Sequence, residues 1–317
     1  MRRVSRRLCC LAPLALMALA SVARAEDVLR IGYQKSGTLA VLKGKPELAP
    51  RLAALGVSIR WVEFPSGPPL LEAINAGSID FGYTGDAPPI FAQAAGGRVV
   101  YVGYLPSPGA SQAILVRKDA PIATVADLRG KRVAVTKGSS AHNFLVKALA
   151  GAALAYEDVE PAYLQPPDAA AAFRNGSVDA WAIWDPFFAQ IEQSGTVRVL
   201  ITAEQVAPSN AFFLAARDYA GAHAAIMLAA IDDIDAVSRW SQAHQTEVAA
   251  IIATLTGVDL AAEKVALARS DYGVALLTEA VIAQQQEIAD TFHKLGLLPH
   301  AIEVRKAVWT PPIAARG

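Results

Sequence analysis

The sequence predicts an α/β protein of two similar lobes that face each other across a ligand cleft and are joined by two crossing strands. Two internal echoes and one change of pattern carry that expectation. The stretch 175–190, Asn-Gly-Ser-Val-Asp-Ala-Trp-Ala-Ile-Trp-Asp-Pro-Phe-Phe-Ala-Gln, restates 75–93 about a hundred residues later, so that Gly77 matches Gly176, Ser78 matches Ser177, Asp80 matches Asp179 and Asp86 matches Asp185. A second echo sets 31–37 beside 133–139: in both, an apolar strand runs into a polar residue, a lysine and a small-residue turn. After Asp218 the strand pattern stops and alanine-rich stretches of 3.6-residue period take over.

Residues 1–25 read as a secretory signal, removed on export. Arg2, Arg3, Arg6 and Arg7 form a basic start, 8–20 is apolar, and Ala23-Arg24-Ala25 is a small-x-small cleavage site before Glu26. The apolar run falls short of the roughly 20 residues a permanent span needs. Cys9 and Cys10, the two cysteines of the chain, lie at the wrong end of that run for a lipoprotein signal. The mature protein is therefore expected to have no thiol, disulfide or lipid anchor. Loss of five arginines leaves 24 basic against 29 acidic residues, a net charge of about −5, which argues against nucleic-acid or anionic-membrane binding.

In chain order, 28–34 reads as a strand, 38–43 and 47–55 as helical pieces, and 57–64 as a strand. A helix over 67–76 carries Leu70, Leu71 and Ile74 on one stripe. A strand over 79–84, a helix opened by Asp86 and a strand over 99–103 complete a βαβαβ order, for which a parallel sheet is expected. The second series has strands at 132–136, 160–165, 178–183 and 197–202, and helices at 139–149, 168–174 and after Asp185. Strands 111–117 and 211–216 carry the chain out of the first lobe and back. That gives 26–113 with 213–317 as one lobe and 114–212 as the other. Helices around 226–240, 247–255, 260–268 and 276–294 form a tail expected to pack on the first lobe.

In each long echo a helix stops at glycine, a short strand follows, and the strand ends at an Asp with proline within three residues, the mark of a helix start. Ligands in open α/β sheets bind at the carboxyl ends of strands. Both echoes should therefore present a functional edge to the cleft.

Several of these stretches together resemble a known family. They are Ile31-Gly32-Tyr33-Gln34-Lys35, Trp61-Val62-Glu63-Phe64-Pro65-Ser66-Gly67-Pro68, Gly77-Ser78-Ile79-Asp80, the run from Thr84-Gly85-Asp86 to Gly96, Lys137-Gly138-Ser139-Ser140-Ala141-His142-Asn143, and Asp179-Ala180-Trp181-Ala182-Ile183-Trp184-Asp185-Pro186. The chain is similar along essentially its whole mature length to the aliphatic sulfonate-binding periplasmic proteins of ABC importers, relatives of taurine- and nitrate-binding proteins. The resemblance implies a type II periplasmic binding fold that closes over a small organic anion, an alkanesulfonate. It further implies delivery to an ABC permease and its ATPase for sulfur acquisition, a periplasmic location, no cofactor, no metal, and a monomer.

A sulfonate offers three acceptor oxygens and a permanent charge. Helix N-termini supply free N–H groups and about half a positive charge each, so Gly138, Ser139 and Ser140, opening a helix after a strand, are the first candidates for its head. Gln34 and Thr84, at strand ends of the first lobe, and the adjoining Gly85 would donate from the opposite side, with Lys35 a second choice for positive field. His142 and Asn143 lie one turn into the anion-facing helix. Trp184 is the candidate wall for the tail, whereas Trp181, three residues earlier on the strand, is expected in the core. Asp86 and Asp185 would be repelled by a sulfonate; they are read mainly as N-caps, with Asp185 accepting a bond from a polar part of the ligand.

Three other readings stay open. An exported enzyme would need more than Ser139, Ser140 and His142, because no Gly-x-Ser-x-Gly elbow, Walker A loop, dinucleotide fingerprint or His-Glu-x-x-His is present. A binder of taurine, nitrate, sulfate or a pyrimidine precursor would share the fold. So would a sensor that docks on a receptor.

Overall fold

Two five-stranded sheets of the same plan organise the chain. The computed structural model describes residues 27–107, 109–206 and 209–312; the expected export signal at 1–25 lies outside them. The first lobe runs β1 (Val28–Tyr33), α1 (Thr38–Gly44), α2 (Pro50–Ala54), β2 (Ser58–Glu63), α3 (Gly67–Asn75), β3 (Phe81–Thr84), α4 (Ala87–Ala94) and β4 (Val99–Ser107). The second lobe follows as β5 (Gln112–Arg117), β6 (Arg132–Val135), α5 (Ser140–Gly151), β7 (Glu160–Tyr163), α6 (Pro166–Arg174), β8 (Ala180–Trp184), α7 (Phe187–Glu192) and β9 (Val197–Thr202). The chain returns through β10 (Ser209–Ala216) to α8 (Arg217–Ala222), α9 (Ala224–Ala243), α10 (Gln245–Thr256), α11 (Leu260–Ala268) and α12 (Glu279–Lys294).

The sheet orders are β2-β1-β3-β10-β4 and β7-β6-β8-β5-β9, which correspond strand for strand. In each, the fourth place is taken by the strand that has just crossed between lobes, and it runs antiparallel to both neighbours. The expectation of parallel sheets is corrected accordingly. A right-handed βαβ crossover fixes strand direction only when the chain stays in its own sheet, and β5 and β10 arrive from the other one. The changeovers fall between Ser107 and Gln112 and between Thr202 and Ser209. All of β5 therefore belongs to the second lobe and all of β10 to the first.

The repeated Gly-Ser-x-Asp has a structural role at the strand's far end from the cleft. Gly77 and Gly176 end their helices at φ 71° and 79°, the left-handed stop that a Cβ disfavours. Asp80 then exchanges two bonds with Arg30: its N–H donates to the Arg30 carbonyl at 2.8 Å and its carboxylate accepts the Arg30 N–H at 2.9 Å. Asp179 repeats this with Arg132 at 2.8 and 2.9 Å. Each pair ties the start of one strand to its parallel neighbour.

Alternation along the strands builds a core on both faces of each sheet. Phe213 joins Leu29, Ile31 and Phe81 beneath α1, α2, α9 and α10, while its neighbour Phe212 faces α3, α4 and α12 with Ile90 and Phe292. In the second lobe Val133 and Ile114 meet Phe144 and Leu145 on one side, and Trp181 meets Phe173 and Phe188 on the other. Trp181 is core. The helical tail does more than cover the first lobe: α11 crosses to α7, where Ala262 and Ala266 meet Ala189, and such small side chains let the two backbones approach. Among the described residues no helix is long and apolar enough to cross a membrane.

Candidate functional site

A cavity of about 140 Å³ lies between the lobes. Four helices begin on it: α1 at Gly37 and Thr38, α3 at Gly67, α4 at Gly85 and α5 at Ser139 and Ser140. The starts of α4 and α5 are pressed together across the lobe boundary, since a Cβ built on Gly85 would stand 2.5 Å from the Ser140 Cβ. Ser139 caps α5 by accepting the His142 N–H at 3.3 Å. The first N–H groups of a helix have no partner within it; Pro68, Pro69, Pro88 and Pro89 have no N–H and the Ala87 N–H is taken by Asp86, so the free helix-start donors come chiefly from α1 and α5, while all four starts add positive potential to one small volume. Among the described lining residues none is lysine or arginine, and two, Asp185 and Asp271, are acids. No cluster of three metal-ligating side chains occurs among the described residues.

Of the residues singled out in the sequence, the structure brings Gln34, Gly85, Ser139, Ser140, Trp184 and Asp185 to the cavity wall. The Gln34 amide is oriented by donating to the Tyr83 carbonyl at 3.0 Å. Trp184 stands edge-on to Phe187, ring centroids 6.3 Å apart, and presents an apolar surface at the end of β8.

The other six are placed elsewhere, each for a physical reason. Lys35 donates from Nζ to the Thr256 carbonyl at 2.9 Å, at the end of α10, where a helix welcomes a cation. Thr84 is buried, its hydroxyl donating to the Gly85 carbonyl at 3.0 Å. Gly138 lies behind Phe91 and lines a separate groove with Lys137 and Tyr163. His142 is buried among Phe91 and Phe292 of the first lobe and Tyr156 of its own. Its Nδ1 accepts the Gly138 N–H at 3.1 Å, which assigns the proton to Nε2, 2.7 Å from the Tyr156 hydroxyl. Burial, and secondly Lys137, hold this imidazole down at about 4. Asn143 donates to Asp86, which also accepts from the Ala87 N–H and the Ser209 hydroxyl. Asp86 is thus the expected N-cap and in addition a tie between the lobes.

Sequence reasoning missed the wall formed by Ser107, Ser111 and Gln112 at one crossing and by Ser209 and Asn210 at the other. The run Ser107-Pro108-Gly109-Ala110-Ser111 is a visible loop signal between two strands. It also missed Asp271 and Tyr272, which follow α11 and reach the cavity from the tail; no local pattern marks them.

Asp185 stands where the two lobes meet. Its Oδ1 accepts the Ala189 N–H at 2.9 Å, and its Oδ2 lies 3.6 Å from Nη1 of Arg269. Burial pushes its pKa up to about 6, more than Arg269 restores. Arg269 also pairs with Glu192 and lies 3.9 Å from the centre of the Phe188 ring. Nearby Glu263 is buried, its two carboxyl oxygens without hydrogen-bond partners, and burial followed by the Asp185 charge pushes it up to about 7.

Residues 52–263 match the family of periplasmic substrate-binding proteins of phosphonate ABC transporters. The chain is 44% identical over 289 residues to a protein of Escherichia coli (strain K12) designated an aliphatic sulfonates-binding protein, covering 90% of this chain and 89% of that relative. It is similar to the solved structure of the alkanesulfonate-binding protein SsuA from Xanthomonas axonopodis pv. citri bound to MOPS, with TM-score 0.84 and 41% identity over 89% of this chain and 98% of that one. The periplasmic aliphatic sulphonate binding protein SsuA from Escherichia coli is similar with TM-score 0.82 and 41% identity, over 90% and 93% of the two chains.

Proposed function

The chain belongs to the aliphatic sulfonate-binding proteins of ABC importers, and we propose that it captures alkanesulfonates after export to the periplasm and hands them, as a monomer, to a permease driven by an ATPase. The sulfur they carry is the purpose of the import. The observation that carries this reading is the convergence of four helix starts on a cavity whose described lining residues include no lysine or arginine.

Hydrogen bonds to a charged group contribute about 1.5–3 kcal/mol each, so a few amides and the Ser139 and Ser140 hydroxyls suffice to hold a compact anion. A site of neutral donors with Asp185 and Asp271 on its wall suits a monoanion better than a dianion, because no full positive charge offsets the second negative one. That favours sulfonate over a fully ionised phosphonate. Capture is also favoured over turnover, since the His142 imidazole is turned to Gly138 and Tyr156 and away from the serines.

Calorimetric titration of ligand-free protein with ethanesulfonate, longer alkanesulfonates, taurine, nitrate, sulfate, ethylphosphonate and a matched carboxylate tests the proposal. Tight binding of several sulfonates with little response to the carboxylate is expected. Binding of nitrate or sulfate alone overturns the substrate.

A further inference from the structure

We propose that the second lobe carries a binding site of its own, outside the cleft, for a small amphipathic anion: an aromatic or alkyl body that bears one anionic group. The site lies within a single lobe and would be present whatever the cleft binds.

The two lobes repeat each other strand for strand, and the site is where the repeat breaks. In the first lobe α3 and α4 pack directly against each other, whereas their counterparts α6 and α7 make little contact. Between α6 and α7, on the face of the second sheet turned away from α5, lies a cavity of about 760 Å³, against about 140 Å³ in the cleft. Pockets for small molecules span roughly 300–1,000 Å³ and are walled mainly by apolar and aromatic side chains. Here Trp181 and Phe173, ring centroids 6.0 Å apart, form the floor, with Ile191 and the half-buried Phe187 on the α7 side. An apolar body seated on them leaves water, which favours its binding.

The charged part of the wall selects the sign of the ligand. Arg117, Lys118 and Arg174 stand there against one acid, Asp119, although acids outnumber bases beyond the export signal. Among the described residues none of the three cations is held in an ion pair. Arg117 gives one N–H to the Val178 carbonyl at 2.8 Å, and Lys118 reaches the Gly195 carbonyl at 3.4 Å. A guanidinium has five N–H donors and an ammonium three, so donors remain for a ligand. The Arg117 guanidinium lies 6.0 Å from the centre of the Phe173 ring, which puts cation and aromatic floor at the same place. A compact inorganic anion would leave that floor unused, and a neutral apolar molecule would leave the cations unused. An amphipathic anion engages both, while a cationic one is repelled.

The test is calorimetric titration of the full-length mature protein with 2-naphthoate, a carboxylate of the kind the cleft is expected to ignore, and with the neutral 2-naphthalenemethanol. One 2-naphthoate per chain is expected, bound at least about tenfold tighter than the alcohol and not displaced by ethanesulfonate. Ala170→Trp, which fills the cavity from α6, is expected to abolish 2-naphthoate binding, and Arg174→Glu to weaken it more than about tenfold. Both variants should bind ethanesulfonate as the unmodified protein does, since neither residue lines the cleft. Absence of saturable 2-naphthoate binding, equal binding of the alcohol, displacement by ethanesulfonate, or unchanged binding in both variants overturns the proposal.

Discussion

Asn143 of the second lobe donates to the Asp86 carboxylate of the first at 2.7 Å, inside a contact that excludes solvent. Asp86 collects three donors in all, and burial pushes its pKa up while Lys147, Asn143 and Ser209 hold it down. The bond therefore acts as a clasp that exists only while the lobes are together.

Asn143→Ala removes one donor from this carboxylate. Leaving a buried acceptor short of a partner costs about 1–3 kcal/mol, and the loss falls on the closed arrangement. Roughly tenfold weaker ethanesulfonate binding is expected, with a larger radius of gyration in X-ray scattering of the liganded protein. Unchanged affinity would show that the clasp does not hold the cleft shut.

Gly85 is not at a positive φ, so an alanine there is free of backbone strain. Its new Cβ would nonetheless meet the Ser140 Cβ at 2.5 Å and Oγ at 2.8 Å. Neither atom is the far end of a flexible chain, so the lobes must part. Gly85→Ala is expected to weaken sulfonate binding more than about tenfold and to leave the ligand-free Tm within a few degrees, because each lobe keeps its own core. An equal fall in the ligand-free Tm would place the clash inside a folding unit instead.

The places of Gly85, Ser139, Ser140 and Asp185 on the cavity wall were legible in the sequence, because a helix starting after a strand is a local pattern and in α/β sheets that place opens on the cleft. His142 and Asn143 were misplaced although the helix beneath them was correct. Which face of α5 meets the ligand and which meets Phe91, Phe292 and Asp86 depends on contacts made by the other lobe. The antiparallel entry of β5 and β10 was hidden for a similar reason, since hydrophobic period marks a strand without giving its direction. Asp271 and Tyr272 belong to a loop whose position is set by how α11 packs on α7, and no residue near them records that.

Glu263 ties stability to pH. Its ordinary value of 4.5 is pushed up to about 7 by burial and by Asp185. Between those values the unfolded chain releases the proton and the folded chain keeps it, so this group's contribution to stability falls as pH rises through the window and is level above it. His142, held at about 4 from 6.5, works in the opposite sense as pH falls, so the comparison must be between variants at each pH. Glu263→Gln is expected to raise Tm relative to the unmodified protein by an increment that grows from pH 5 to pH 8, at roughly 2–4 °C per kcal/mol for a chain of this size. A constant increment across that range would remove Glu263 as the titrating group.

Arg269 joins the tail to the second lobe through three contacts: Glu192, Asp185 and the face of Phe188. Deleting one member of a fully buried ion pair destabilises by roughly 3–5 kcal/mol, because the other charge is left alone; Arg269 and Glu192 are partly exposed, so a smaller loss is expected from Arg269→Gln. The loss should shrink toward pH 5, where the raised Asp185 and Glu263 are protonated and no longer need the guanidinium. Adding Glu192→Gln should then restore part of the stability, since the double variant removes both a cation and the acid it served. Urea denaturation of the two single variants and the double variant measures the coupling, which for groups in contact runs from about 0.5 to 3 kcal/mol. Arg269→Lys is expected to fall short of full stability, because an ammonium cannot lie flat on Phe188 while reaching both carboxylates. Additive single losses, or full rescue by lysine, would reduce this contact to incidental surface pairing, and the junction of α11 with α7 would then rest on the packing of Ala262 and Ala266 against Ala189.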